Sequence, residues 1–370
     1  MRTTFVEDTR DGAARTGTVR TARGSFETPC FMPVGTRGAV RHLSAGDLEA
    51  LGAEVILGNT YHLMLRPGAE TVASLGGLHR FEDWHGHILT DSGGYQIFSL
   101  EPKVDDAGAV FKSVYDGSRH RLTPEGAVDV QLALDSDIQM VLDVCPPAEA
   151  PTAVLRAAVD RTASWAERAR AHFLASGDDA VARHHQFGIV QGGIDHALRR
   201  ESAERTMAIG FDGYAVGGLS VGEPREVMLP ALHEVTSMLP ADQPRYFMGI
   251  GDPIGLVEVV ALGVDMFDCV LPTRLARHGT LLTWGGKVNI RRAEFARDDG
   301  PIDPELVDSP VARYSRGYLR HLLSVDEPTA GRLLTLHNLW WLRSFVLALR
   351  ASIRAGRFAE FRAATHATWG

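Results

Sequence analysis

Eight short apolar runs, each closing on glycine or a polar residue, recur along the chain: Cys30–Gly35, Glu54–Asn59, Gly86–Asp91, Ile138–Asp143, Phe187–Gln191, Tyr214–Gly218, Arg245–Gly249 and Val264–Asp268. Near-continuous apolarity over so few residues suits strands buried on both faces, and such sheets are parallel with helical crossovers. The segments between several of these runs carry helical spacing, which a sandwich of antiparallel strands would not need. The pattern predicts the α/β class: an irregular (β/α)8 barrel with insertions and a C-terminal helical subdomain.

The intervening helices are expected over Leu43–Leu51 with Ser44 as cap, Thr152–Phe173, Ile194–Ile209 ending before Gly210, Glu223–Leu239 and Pro253–Leu262. Residues 14–29 alternate around Arg23-Gly24 and read as a hairpin. After Asp91 an excursion folds back over Val110–Thr123 across Asp116-Gly117, and Pro124 then opens a helix capped by Thr123. Such an insertion is either a substrate-binding rim or a buttress. A second excursion follows Arg274, with a hairpin over 281–290, a Pro- and Asp-rich stretch over 298–310, and helices from about Ala312 to Leu323 and from about Thr329 to Arg354. The expected division is a barrel core over 1–275 with an inserted hairpin near 100–123, an inserted subdomain over 276–328, and C-terminal helices over 329–370 packing on the barrel.

A net charge of −8 argues against a nucleic-acid footprint over the whole chain. Between Arg274 and Arg297, however, six Lys or Arg face one acidic residue, Glu294. That run is either a solvated surface or a local patch that steers a polyanion. Met1–Asp8 has no apolar core of signal-peptide length and no apolar run approaches a membrane span, so a cytoplasmic protein without a membrane partner is expected. Three widely spaced cysteines, Cys30, Cys145 and Cys269, fit a reducing compartment and free thiols, with Cys145 and Cys269 read as buried.

In the barrel register, Asp91, Asp143, Gln191, Gly217, Gly218, Met248 and Asp268 fall at the ends of different strands and face one bowl. Two aspartates and a glutamine match the donors and acceptors on the edge of a guanine-like base. Tyr95 and Met248 supply an aromatic and a soft apolar face for a flat ring. A remaining carboxylate suits attack on a sugar carbon, with a second shuttling the proton. Carboxylates at strand ends equally serve magnesium binding or proton abstraction, and the spacing alone does not separate these chemistries. The pairs Gly192-Gly193 and Gly217-Gly218 suggest close approach of a ligand to the backbone. His184-His185 reads as structural or exposed. No cysteine follows Cys269 to build a thiolate metal site with His321 or His337 in the tail.

The ordered motifs Asp91-Ser92-Gly93-Gly94-Tyr95-Gln96, Gly188-Ile189-Val190-Gln191-Gly192, Gly217-Gly218-Leu219-Ser220-Val221-Gly222-Glu223, Met248-Gly249 and Asp265 through Arg274 closely resemble the tRNA-guanine transglycosylase family, also called queuine tRNA-ribosyltransferases. The resemblance spans about Phe26 to Leu342. It implies an irregular eight-stranded barrel that exchanges guanine in a tRNA anticodon loop for a 7-deazaguanine (preQ1, preQ0 or queuine). By motif match, Asp268 is the nucleophile and Asp91 the general acid/base. Asp143, Gln191, Gly217, Gly218 and Leu219 read the base edge, Tyr95 and Met248 hold its faces, and Arg274 and Arg277 contact tRNA.

Two departures qualify the resemblance. Where the family's subdomain carries three zinc-binding cysteines, Leu306, Asp308 and Val311 stand, while the histidine is retained as His337. Absence of zinc and of any other cofactor is therefore expected, and the region that supports the family's homodimer and tRNA contacts is altered. Val144 replaces a glutamate beside Asp143, which points to a different 7-substituent, such as neutral cyano in place of cationic aminomethyl. Two alternative functions follow: transfer of a 7-deazaguanine to a small riboside or another nucleic acid, and a non-catalytic tRNA-binding partner subunit.

Overall fold

The structure, a computed structural model, describes residues 4–370. It begins with an antiparallel sheet of β1 (Phe5–Asp11), β2 (Ala14–Thr21) and β3 (Gly24–Thr28). The β2–β3 hairpin follows the alternation around Arg23-Gly24. In β1 only Phe5 is buried, so that strand carries no apolar period to announce it.

Next come β4 (Cys30–Met32) and β5 (Val34–Gly35), two pieces of one extended run, then β6 (Val55–Gly58) and β7 (His87–Thr90). An antiparallel insertion of β8 (Lys103–Asp105), β9 (Gly108–Lys112) and β10 (Arg119–Leu122) follows. The chain returns through β11 (Ile138–Met140), β12 (His185–Val190), β13 (Gly213–Val216), β14 (Arg245–Phe247) and β15 (Met266–Asp268), and a hairpin of β16 (Thr280–Thr283) and β17 (Gly286–Asn289) lies beyond.

The large sheet runs β4-β15-β14-β13-β12-β11-β7-β6-β5, with parallel pairings. Because β4 pairs with β15 and β5 with β6, one run touches both ends of the sheet and closes the barrel. The change of neighbour falls at Pro33, which has no N–H for a ladder. Its carbonyl still accepts from Leu57 N at 2.9 Å. Eight strands are thus present, the first of them broken.

The helices follow their caps. Ser44 caps Ala45–Leu51, Thr123 Oγ1 accepts from Gly126 N ahead of Pro124–Leu134, and His196–Ile209 stops at the left-handed Gly210. Several helices are shorter than their periodicity predicts, two of them for a plain local reason. Arg225–Thr236 starts only after Pro224, and Arg316–Ser324 starts where Ser315 Oγ accepts from Tyr318 N, so residues 312–315 form turns. Pro328–Arg354 crosses the barrel, and a last helix, Phe358–Trp369, is held where Arg362 donates twice to Glu258, both at 2.7 Å. Among the described residues no helix is long and apolar enough to cross a membrane.

A buried ion pair joins the N-terminal sheet to the barrel. Arg15 of β2 donates to Asp265 through Nε at 2.9 Å and Nη2 at 2.7 Å, with both side chains 0% exposed. Spare donors reach Ala241 O and Gln243 O, and Asp265 also accepts from Arg245 N. Asp265 immediately precedes β15, so this pair anchors the base of the strand that presents Asp268. Removing one partner strands the other charge in the interior. Arg15→Met should lower unfolding free energy in urea by about 3–5 kcal/mol, and Arg15→Met with Asp265→Leu should recover most of it. Equal losses in the single and double variants would contradict this role.

Candidate active site

A cavity of about 390 Å³ opens at the C-terminal ends of the barrel strands. Asp91 follows β7, Asp143 follows β11 and Asp268 ends β15, and all three line it. Tyr95, Gly217, Gly218, Leu219 and Met248 complete the wall, and Arg274 reaches the rim. Tyr95 is 61% exposed, so its ring is accessible from the cavity. Two expected residues stand elsewhere. Gln191 lies behind Asp143, to which its Nε2 donates at 2.6 Å. Arg277 sits off the cavity on the short helix Leu271–Arg277, its Nη1 donating to Thr273 Oγ1 at 3.3 Å.

Each carboxylate has a different set of donors. Asp268 Oδ1 accepts from Tyr246 Oη at 2.6 Å and Gly249 N at 3.1 Å, while Oδ2 has no donor among the described residues. Asp91 is gripped on both oxygens: Oδ1 by Thr60 N at 2.8 Å and Gly93 N at 3.1 Å, Oδ2 by Asn59 Nδ2 at 2.5 Å. Asp143 accepts from Gln191 and, at 3.2 Å, from Ser92 Oγ. Burial raises all three above the ordinary carboxylate range. Asp91 is pushed to about 7, since the charges of Asp268 and Asp143 add to burial against its backbone donors. Asp143 is pushed to about 6 by burial, opposed by Gln191 and Ser92. Asp268 is raised by burial and restrained by Tyr246 and Gly249. One carboxylate suited to carry a proton near neutrality thus faces another with a free oxygen.

The wall beside Asp143 depends on glycines and a buried arginine. A Cβ on Gly218, whose φ is +66°, would stand 2.2 Å from Gln191 Oε1, and one on Gly217 would stand 2.8 Å from Gln191 Nε2. The close approach read from these glycines is therefore made by Gln191. At Gly193 it is made by Ala148 O. Arg199, fully buried, donates to the carbonyls of Gly193, Val190, Gly217 and Gly218, and burial lowers its pKa to about 10. Glu223 folds back to accept from Ser220 N and Val221 N, fixing the neighbouring loop.

Asn59, Tyr246, Gln96 and Arg199 are site residues that the sequence reading misses. Asn59 and Tyr246 sit in strand runs whose polar atoms could have flagged them, whereas Arg199 is hidden in a helix of mixed charge. Buried Oε1 atoms of Gln96 and Gln191 lack partners among the described residues, which leaves acceptors beside the cavity. Cys30 is buried, whereas the expectation of buried thiols at Cys145 and Cys269 is met only in part, since both are half-buried and line the cavity. Burial raises them to about 12 and about 11, so both are protonated near neutrality. Val144 is not on the cavity wall. It packs with the apolar cluster of Tyr61, Ile97 and Trp165.

Among the described residues no group of three or more His, Cys, Asp or Glu could hold a metal ion. Leu306 and Val311 are buried in apolar clusters, Asp308 is exposed, and the His337 Nε2 lies 2.9 Å from Leu282 O. Burial lowers His337 to about 4, so it is a neutral ring donating to a carbonyl. These side chains do not fit a tetrahedral zinc site.

Fold and cavity define a (β/α)8-barrel protein with its acidic site at the C-terminal ends of the strands. Residues 9–370 match the family Queuine tRNA-ribosyltransferase. The chain is 51% identical over 369 residues to the Queuine tRNA-ribosyltransferase of Solidesulfovibrio magneticus, covering 99% of this chain and 98% of that one. It is 50% identical over 355 residues to that of Novosphingobium aromaticivorans, covering 95% of each, and 51% identical over 361 residues to that of Nitratidesulfovibrio vulgaris, covering 97% and 95%. The chain belongs to the queuine tRNA-ribosyltransferase family.

The raised pKa of Asp91 ties stability to pH. Its folded value of about 7 lies above the unfolded value, so proton uptake favours the folded state. That contribution is complete below the unfolded pKa and is lost as pH rises through about 7. Asparagine does not titrate. Unfolding free energies of the parent and Asp91→Asn, measured from pH 5 to pH 8, should diverge in favour of the variant up to about pH 7 and then level off. A difference that stays constant across that range would contradict the shift.

Proposed function

We propose that the chain exchanges guanine in a tRNA anticodon loop for a 7-deazaguanine base through a covalent Asp268–ribosyl intermediate. The observation that carries this reading is the meeting of Asp268, with one free oxygen, and Asp91, with a pKa near neutrality, in one cavity. Its setting in a chain about half identical to relatives named for tRNA ribosyl transfer supports it.

Asp268 Oδ2 attacks C1′ of the ribose as the bond to guanine breaks, and protonated Asp91 supplies the proton the departing base takes up. Asp91, now a carboxylate, removes a proton from the entering base. That base attacks C1′ from the opposite face and frees Asp268. Two displacements retain the sugar configuration, and the phosphate backbone is untouched. Asp143, Gln191, Gly217, Gly218 and the Leu219 backbone read the base edge, and Tyr95 and Met248 hold its faces. Gln191 acts chiefly through its own bond to Asp143, and Tyr246 and Gly249 keep Asp268 aimed and ionised. Arg274 at the rim and Arg277 one turn along contact the RNA strand. A loop nucleotide leaves its stack more easily than a paired one, so a loop is the natural substrate.

The same reading gives the family's zinc no place here. Leu306 and Val311 bury apolar surface worth roughly 1.5–3 kcal/mol each where metal bonds would otherwise hold the region. Metal analysis should find no stoichiometric zinc, and a chelator should leave the Tm unchanged. One zinc per chain, lost in His337→Ala, would overturn this.

Labelled guanine should enter unmodified tRNA, and Asp91→Asn should slow entry by about 10²–10⁴-fold. In the parent, kcat/KM should fall about tenfold per pH unit above about 7, where Asp91 loses its proton, and should fall on the acid side as Asp268 gains one. Exchange only with small ribosides, or a rate flat up to pH 9, would reject the assignment.

A further inference from the structure

Beyond the cavity, a cluster of cations gathers on one aromatic ring. The guanidinium carbons of Arg37 and Arg66 lie over the Tyr115 ring, 5.4 Å and 4.5 Å from its centroid. Arg37 follows Thr36, which lines the cavity, and Tyr115 sits at the turn between β9 and β10. The ring is held in place: its hydroxyl is 2.8 Å from His62 Nδ1, and the two rings meet edge to face. Burial, then the charge of Arg37, lowers the pKa of His62, so that ring stays neutral and adds no competing cation.

Neither arginine makes an ion pair among the described residues, although both are exposed. Asp116 lies close to Arg66 without forming an ion pair with it, and its Oδ1 accepts from the backbone and hydroxyl of Ser118. The same hairpin sets Arg119 directly opposite Lys112, both exposed. Like charges across a strand pair are unfavourable unless an anion joins them. At the other end of the loop 36–43, Arg41 adds to the burial that depresses Arg277. One loop therefore connects this cluster with the helix that carries Arg274 and Arg277.

Resting on the base-exchange reading, we propose that Arg37 and Arg66, splayed over Tyr115, form a second station on the cavity rim that grips backbone phosphate of the RNA strand. The site is sequence-independent: two charged forks meet phosphate oxygens while the aromatic ring keeps them in place.

The test is the full chain with Arg37→Gln and Arg66→Gln together, read by labelled guanine exchange into unmodified tRNA. The KM for tRNA should rise about tenfold, and its log-log dependence on salt should flatten by about one for each phosphate no longer neutralised. The KM for guanine and kcat should not move, because neither residue touches the base. Tyr115→Ala should shift tRNA KM in the same direction, and Tyr115→Phe should shift it less. An unchanged tRNA KM and salt slope in a variant with the parental Tm would overturn the proposal, as would an equal rise in guanine KM. Should the parent exchange no guanine, the base-exchange reading fails by itself. The station is then judged by fluorescence anisotropy of tRNA binding: a weaker, less salt-sensitive complex in the double variant supports it, and identical binding removes it.

Discussion

Loss of solvent acts on the carboxylates of Asp91, Asp143 and Asp268 inside one cavity, the charges of the other two add to it at Asp91, and the remaining differences come from what each is bonded to. Backbone and side-chain donors restrain Asp268 on one oxygen only. Three donors hold Asp91, yet the neighbouring charges and burial still leave its proton affinity near neutrality. Asp143 is tied to Gln191, whose position requires the missing Cβ atoms of Gly217 and Gly218. Like residues thereby acquire unlike chemistry from their surroundings.

The barrel makes that arrangement possible. Closure through residues 30–35 brings β4 beside β15, so the strand that ends at Asp268 is paired on both sides by parallel neighbours. Arg15 and Asp265 hold its base, and Arg199 ties the turn after β13 to the turn after β12 through backbone carbonyls. These are interior charges with well-satisfied partners, and they fix loops whose backbone lines the cavity. The C-terminal helices extend the same packing: Trp341, Phe345 and Trp369 stack or tilt against one another over the core that includes Leu306.

The strands are readable because burial on both faces leaves an unmistakable apolar run, and the cavity residues because each run ends in a polar group. Capped helices are equally plain at Ser44 and Thr123, where a hydroxyl precedes the first turn. What escapes lacks a local signal. β1 buries little beyond Phe5, and within the expected C-terminal helices the separate segment Phe358–Trp369 has no sharp start because it buries only Phe358 and Thr365. Arg199 looks like any helical arginine until the fold brings carbonyls around it, and Gln191 faces Asp143 because of register that spacing alone does not resolve. Val144 is a different case: it neighbours Asp143 in sequence, yet in the irregular segment after β11 it packs against the apolar cluster of Tyr61, Ile97 and Trp165 and not on the cavity wall.

The account depends on a bond between Asp268 and the ribose that outlives the departure of guanine. Parent protein mixed with unmodified tRNA, denatured at once and digested, should yield an RNA-linked peptide whose modified residue is Asp268 by mass spectrometry. Attachment at Asp91 or Asp143, or efficient exchange with no linked peptide at any time point, would contradict it.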